Sequence, residues 1–156
     1  MVDRNGKQDG PNSRNVMNGN TLLHIAGGAG QVEAVRYLLG RGADANKPSQ
    51  QKNGGGTPLH HSLYHPKCVA ELLGSKADPN ASCIHGTALH MVACNAPAAG
   101  GDAEAALATA RMLLDAGADQ QECRQGLKND QTTPCHIAQT SGFTEMAQLL
   151  ASHGAS

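Results

Sequence analysis

Thr21-Leu22-Leu23-His24 returns as Thr57-Pro58-Leu59-His60, as Thr87-Ala88-Leu89-His90 and as Thr133-Pro134-Cys135-His136. A phrase that recurs every few dozen residues is the mark of a repeat architecture, in which each unit is one supersecondary element stacked on the next. The four opening threonines are separated by 36, 30 and 46 residues. A stack of similar units offers a surface to another macromolecule more readily than a pocket for chemistry.

The first unit reads TLLHIAGGAGQVEAVRYLLGRGADAN from Thr21 to Asn46. Thr21 suits a helix N-cap, because its hydroxyl can accept a hydrogen bond from an orphan amide of the first turn. Pro58 and Pro134 then fall at the first helical position, where a missing N–H costs nothing. Leu23, Leu59 and Leu89 share one face, and Cys135 takes their place in the fourth unit. The pattern predicts a short helix to about Gly30. A second helix from about Val32 carries Val35, Leu38 and Leu39 at helical spacing. Gly42 follows at the place of a C-terminal residue with positive φ.

Thr-Pro-Leu-His opening a helix, a second helix ending in Leu-Leu, and Gly-Ala-Asp-x-Asn leading into a turn together resemble the ankyrin repeat, whose units run about 33 residues. The resemblance covers about residues 19–156. It implies an all-α repeat solenoid of paired antiparallel helices joined by β-hairpin-type loops. Four repeats are expected, at about 19–53, 54–84, 85–130 and 131–156. Residues 1–18 are polar and rich in Gly, Asn and Asp, and are expected to be mostly disordered.

Departures from the pattern are informative. In the second unit Leu63-Tyr64-His65-Pro66 replaces a longer turn, so its first helix is expected to be about one turn long. Lys76 stands there in place of Gly, which predicts a non-Gly residue at positive φ at a cost of order 1 kcal/mol. The third unit holds an insertion around Asn95–Asp102, where Pro97 and Gly100-Gly101 argue for a loop. The turns Lys47–Gly56 and Glu122–Gln131 are long, and such irregularities weigh against a designed consensus array. The chain stops straight after its last helix, either because the fourth unit is a cap or because the chain is a piece of a longer protein.

Composition sets bounds. The 156 residues carry a net charge of −1 and only 2% aromatic residues, with two Tyr, one Phe and no Trp. No global field favours nucleic acid or an anionic membrane, and the core must be built from Leu, Ala, Val, Ile and Met. The five cysteines are too few and odd in number for a secreted disulfide scaffold. With neither a signal-like apolar start nor a run of about 18 apolar residues, the reading is a soluble intracellular protein, cytoplasmic or nuclear, with reduced thiols.

Eight histidines raise the question of a metal. His24, His60, His90 and His136 are the fourth letter of the repeated phrase. In the ankyrin family that histidine is structural, bonding backbone or the Thr of adjacent turns. Cys83, His85, His90 and Cys94 form the sharpest metal-like constellation, and His90 and Cys94 would share a helix face, yet the spacing matches no zinc pattern. A Cys–His nucleophile pair lacks an orienting third residue. Gly27-Gly28-Ala29-Gly30 and Gly54-Gly55-Gly56 are not phosphate loops, because no Gly-Lys-Ser/Thr follows. The second reads as a flexible hairpin tip. No catalytic residue, cofactor or metal is assigned.

The resemblance implies a protein partner on the concave side, where hairpin tips and the outer ends of first helices lie. Carried onto this sequence, the tips are Gln50 and Gln51, then Ile84 and His85, then Arg124, Gln125, Leu127 and Lys128. Thr132 precedes the last Thr, and Tyr64, Thr140 and Ser141 are the helix-end positions. Interface anchors favour aromatic and Arg side chains, which singles out Tyr64 and Arg124, with Ile84 and Leu127 as apolar anchors. Repeat one offers only Gly28 and Ala29 at the helix positions, so binding is expected on repeats two to four. The chain reads as a monomeric, non-enzymatic interaction module or scaffold. Rival readings are an ankyrin-type cyclin-dependent kinase inhibitor, suggested by the shortened second unit; a targeting domain of a larger enzyme; and a metal- or thiol-dependent enzyme.

Overall fold

The computed structural model describes residues 10–15, 19–50, 54–94, 102–121 and 133–153. Among these, helices pair as α1 (Leu22–Gly28) with α2 (Val32–Gly40), α3 (Pro58–His61) with α4 (Pro66–Gly74), α5 (Ala88–Ala93) with α6 (Ala103–Asp115), and α7 (Pro134–Thr140) with α8 (Thr144–His153). The first helices stack on one another in chain order, and the second helices do the same, giving two layers. The fold is the all-α repeat solenoid expected from the sequence.

Each first helix starts for the same physical reason. Thr21, Thr57 and Thr87 sit at the N-cap in extended conformation. The threonine side chain accepts from the backbone amide of the histidine three residues on, and the histidine ring receives the backbone amide of the threonine. This is a capping box in which His takes the place of Glu. In α7 the Thr133 hydroxyl accepts from His136 N at 3.4 Å.

The second helices α2, α4 and α6 are each followed by a residue of positive φ. Gly42 and Gly117 take this conformation, and Lys76 takes it at φ 65 without a glycine's freedom. The expected strained position is therefore present. The expected one-turn helix is present too: α3 has four residues. It stops where Ser62 turns its hydroxyl back onto the Pro58 carbonyl at 2.8 Å.

Between pairs the chain runs out into a finger and returns. The finger between α4 and α5 is a hairpin, β1 (Ser82–Cys83) against β2 (Gly86–Thr87), with Ser82 opposite Thr87. Asparagines lock successive fingers together. Asn46 Nδ2 donates to the Lys76 carbonyl at 3.0 Å and its Oδ1 accepts from Asp78 N at 2.7 Å. Asn80 does the same to Gly117 and Asp119, and Asn12 to Gly42 and Asp44.

Within the segment expected to be mostly disordered, residues 10–15 are placed, with Asn12 engaged as above and Arg14 bridging to Thr21; residues 1–9 and 16–18 lie outside the described residues. One expectation needs correction: Gly54-Gly55-Gly56 is no loose tip, since Gly54 and Gly56 are buried. Ile84 N donates to Gly54 O at 3.1 Å and Ser49 N to Gly56 O at 2.8 Å, so the next finger packs on this one.

The core runs the length of the stack between the layers. Leu23, Leu59 and Leu89 are fully buried, as are Val35, Val69 and Leu113. Phe143 and Met146 fill the last unit. Cys68 packs in this core with no exposure, and Cys135 packs against it. The insertion in the third unit lies outside the described residues from 95 to 101. At its end Asp102 caps α6, accepting from Ala105 N at 3.1 Å.

Candidate interaction surface

The capping histidine His24 fixes the following finger against the first helix. Thr21 N–H can only donate, and it does so to His24 Nδ1 at 3.1 Å. Nδ1 is therefore the unprotonated nitrogen, and Nε2 carries the hydrogen that it donates to the Gly56 carbonyl at 3.1 Å. The ring spans from its own cap to the finger of the next unit. Burial lowers its pKa to about 4, with the hydrogen bond to Gly56 opposing and the neighbouring His61 and Arg14 adding to the shift. His60 is lowered to about 4 by burial in the same way, opposed by the backbone of Gly86 in the following finger. Both rings are neutral at pH 7; His24 makes the bond from its cap to the next finger, whereas the buried His60 Nε2 finds no hydrogen-bond partner and His60 serves its own cap at Thr57.

Around these rings lies a continuous recess on the finger and first-helix face. A hollow of about 540 Å³ beneath the finger tip is lined by Pro48, Ser49, Gly54, Gly55, Ser82, Cys83 and Ile84. It shares Gly54 and Cys83 with a hollow of about 210 Å³ lined also by Gly56, His60, His61, His85 and Met91. Met91 in turn borders a cleft with Leu63, Tyr64, Val92 and Ala106. His61 meets His24 edge to face at 5.0 Å between ring centres, and burial lowers its pKa. The floor is thus neutral, partly apolar and held by backbone bonds.

Two large apolar side chains stand at either end of this strip. Ile84 is 72% exposed and Tyr64 58% exposed. His85 is exposed beside Ile84, and Gln50 is half-buried with its side chain lying over Gly19. Thr140 is exposed and Ser141 half-buried at the end of α7, and the Thr140 hydroxyl is turned onto its own helix at His136 O and Ile137 O. Gln51, Arg124, Gln125, Leu127, Lys128 and Thr132 lie outside the described residues.

The geometry brings in residues that sequence reasoning did not assign to the surface. Ile25, His61 and Met91 each follow the histidine of the repeated phrase. These three side chains line hollows beside the fingers, whereas Ile137 at the same place in the fourth unit is buried in the core. That register was available in the sequence, since the four phrases align without gaps.

The metal-like constellation is not assembled. His90 is fully buried with Nδ1 on the Thr87 hydroxyl at 2.7 Å, whereas Cys94 is exposed at the far end of α5. Among the described residues no group of three or more His, Cys, Asp or Glu is arranged to hold a metal ion. The Cys68 thiol is pushed up by burial, away from the thiolate a nucleophile needs. No helix among the described residues is long and apolar enough to cross a membrane.

Comparison with known proteins agrees with the architecture. The family model described as ankyrin repeats (3 copies) matches residues 2–83 and 64–156. The sequence is 39% identical over 82 residues to Rabankyrin-5 of Mus musculus. That alignment covers 51% of this chain and 6% of the relative, so the chain spans a small part of that protein's length.

Proposed function

The chain belongs to the ankyrin-repeat family, and from that premise we propose that it is a non-enzymatic module that binds a protein on the strip running from Ile84 across Met91 to Tyr64. Ankyrin repeats are generally protein-interaction modules. The observation that carries the placement is the pairing of two exposed apolar anchors with a recess whose floor is rigidly hydrogen-bonded. A preorganised surface loses little freedom on binding, so a few anchors can supply most of the affinity. The partner segment that suits this strip is apolar or aromatic with few charges. The chain acts as an intracellular monomer in this reading, and the extended partner surface includes Gln50 and His85, together with Arg124, Leu127 and their sequence neighbours, which lie outside the described residues.

The test is affinity capture from extract of the source cell with wild type and an Ile84→Asp/Tyr64→Ala variant. Both side chains are exposed, so the variant is expected to keep the wild-type melting curve. A protein held by wild type and lost by the variant supports the strip; a protein held equally by both places the site elsewhere. A second reading, inhibition of a cyclin-dependent kinase, is favoured only by the four-residue α3. A kinase assay with the purified chain decides it.

A further inference from the structure

The recess beside the fingers leaves two buried hydrogen-bonding groups unpaired. His60 is 6% exposed, and its Nε2 finds no hydrogen-bond partner. The tautomer of this ring is fixed. Thr57 N–H can only donate, and it does so to His60 Nδ1 at 3.1 Å, so the hydrogen sits on Nε2. The backbone of Gly86 and Ala81 lies near the ring, and neither carbonyl accepts from Nε2. Ser49 is 3% exposed, and its hydroxyl finds no partner either. Comparable groups elsewhere in the stack are satisfied: His24 Nε2 reaches the Gly56 carbonyl, Ser62 the Pro58 carbonyl, and Thr109 the Leu63 carbonyl at 2.9 Å. A buried donor without an acceptor is costly, and a native one calls for an explanation.

The two groups occupy one place in the fold. His60 lines the hollow of about 210 Å³ and Ser49 the adjoining hollow of about 540 Å³, and Gly54 and Cys83 belong to both. Glycines keep the junction open. A Cβ on Gly54 would lie 3.4 Å from Ile84 Cγ1 and 3.8 Å from His85 Cδ2, and one on Gly56 would lie 3.1 Å from His60 Cβ. The acceptors of the wall are already used. Gly54 O receives Ile84 N, Gly56 O receives Ser49 N, and Cys83 Sγ receives His85 N at 3.4 Å. Among the described residues that line the two hollows there is no Asp, Glu, Lys or Arg. The recess therefore offers hydrogen-bond donors in excess, beside the imidazoles of His61 and His85 and the exposed Ile84.

We propose that this recess recognises a carboxylate of the protein partner: an Asp or Glu side chain enters the hollow of His60 and accepts from its Nε2–H, and a main-chain carbonyl of the same segment accepts from Ser49. This rests on the reading of the strip as a protein-binding surface, and it names the polar residue that accompanies the apolar anchors. A carboxylate suits the site because it brings two acceptor oxygens and no donor. A hydrogen bond to an ionised acceptor is also roughly twice as strong as a neutral one. An ammonium or guanidinium group would face N–H and O–H groups with no acid to pair it. The hollow at His60 is smaller than the roughly 300–1,000 Å³ of a small-molecule site. It also adjoins the hollow that Ile84 lines, so the carboxylate arrives on a polypeptide that Ile84 grips.

The test selects a displayed library of random dodecapeptides on the full 156-residue chain. Peptides are kept for study when Ile84→Asp/Tyr64→Ala removes their binding. They are expected to share an Asp or Glu at one position beside an apolar residue. In a synthetic peptide from that set, changing the acid to its amide is expected to weaken binding about tenfold or more. The hydrogen on His60 Nε2 is expected to move downfield in the proton NMR spectrum with the acidic peptide and to stay in place with the amide. Ser49→Ala is expected to weaken binding about threefold or more while holding or raising the melting temperature, because it removes an unpaired buried hydroxyl. The opposite pattern, a lower melting temperature with unchanged affinity, overturns the Ser49 contact. Peptides that need Ile84 and Tyr64 but share no acid, or that bind equally well as amides, overturn the carboxylate site and leave the binding strip standing. A selection that yields no peptide dependent on Ile84 and Tyr64 removes the strip itself, and the carboxylate site with it.

Discussion

His24 Nε2 lies 3.1 Å from the carbonyl oxygen of Gly56, 32 residues along the chain. One side chain thus closes the N-terminus of its own helix through Thr21 and holds the finger that leads to the next. A unit of this kind cannot bury its apolar face alone. The histidine adds a directional bond to the non-directional burial of Leu23 and Leu59, which fixes the register of the stack. Its ring also meets His61, which lines the recess between Ile84 and Tyr64, edge to face at 5.0 Å between ring centres.

Replacing His24 with Ala removes the ring's bonds to Thr21 and Gly56 and leaves a hole in the layer. A loss of about 2–3 kcal/mol is expected. The midpoint of urea unfolding checks it, with exposed His153→Ala as a control that should not move it. Equal midpoints for the two variants would remove the strut from the account.

Stability should depend on pH through the same rings. His24 and His60 have folded pKa values of about 4 against an ordinary 6.5. Between those values the unfolded chain binds more protons than the folded one, so stability is complete above pH 6.5 and falls as pH drops towards 4. Each ring contributes a slope of up to about 1.4 kcal/mol per pH unit in that window. Urea midpoints at pH 7.5, 6 and 5 should fall in that order, and a His24→Ala/His60→Ala chain should show a flatter dependence. A wild-type midpoint that holds between pH 7.5 and 5 would contradict the neutral, buried assignment.

Lys76→Gly should stabilise the protein. Lys76 holds φ 65 at the end of the second pair, where its Cβ is disfavoured. Its carbonyl still accepts from Asn46 after the change. A gain of roughly 1 kcal/mol is expected, less the extra freedom of glycine in the unfolded chain. A lower melting temperature would mean that the lysine side chain contributes more than its backbone costs.

Gly27 lies where the second unit presses closest on the first. A Cβ there would overlap Ser62 Oγ, which is itself bonded to the Pro58 carbonyl. Gly27→Ala should therefore cost about 1–3 kcal/mol, more than the roughly 1 kcal/mol that alanine gains in a helix. In a Ser62→Ala background the obstruction is gone and Gly27→Ala should turn neutral or stabilising. The double-mutant cycle measures that sign change. A Gly27→Ala chain more stable than wild type would show that the units stack less tightly.

Much of this molecule was legible because the repeated phrase carries its own physics. Thr, Pro and His at fixed spacing specify cap, first turn and strut, and Lys76 announced its strain by standing where glycine was due. The fingers were harder to read. Whether Gly54 and Gly56 are loose or packed depends on Ile84 and Ser49, residues that are distant or unremarkable in sequence. Of the proposed surface, Tyr64 and Ile84 stood out in the sequence as large apolar residues in turns. His61 and Met91 did not, because their place beside the fingers follows from which side of a short helix faces them.

The most direct test of the binding account is a hydrogen-exchange footprint of the chain in complex with the partner captured through Ile84 and Tyr64. Protection gained around residues 82–91 and 61–64, with the outer helices α2, α4 and α6 unchanged, is the predicted result. Protection confined to those outer helices would contradict it.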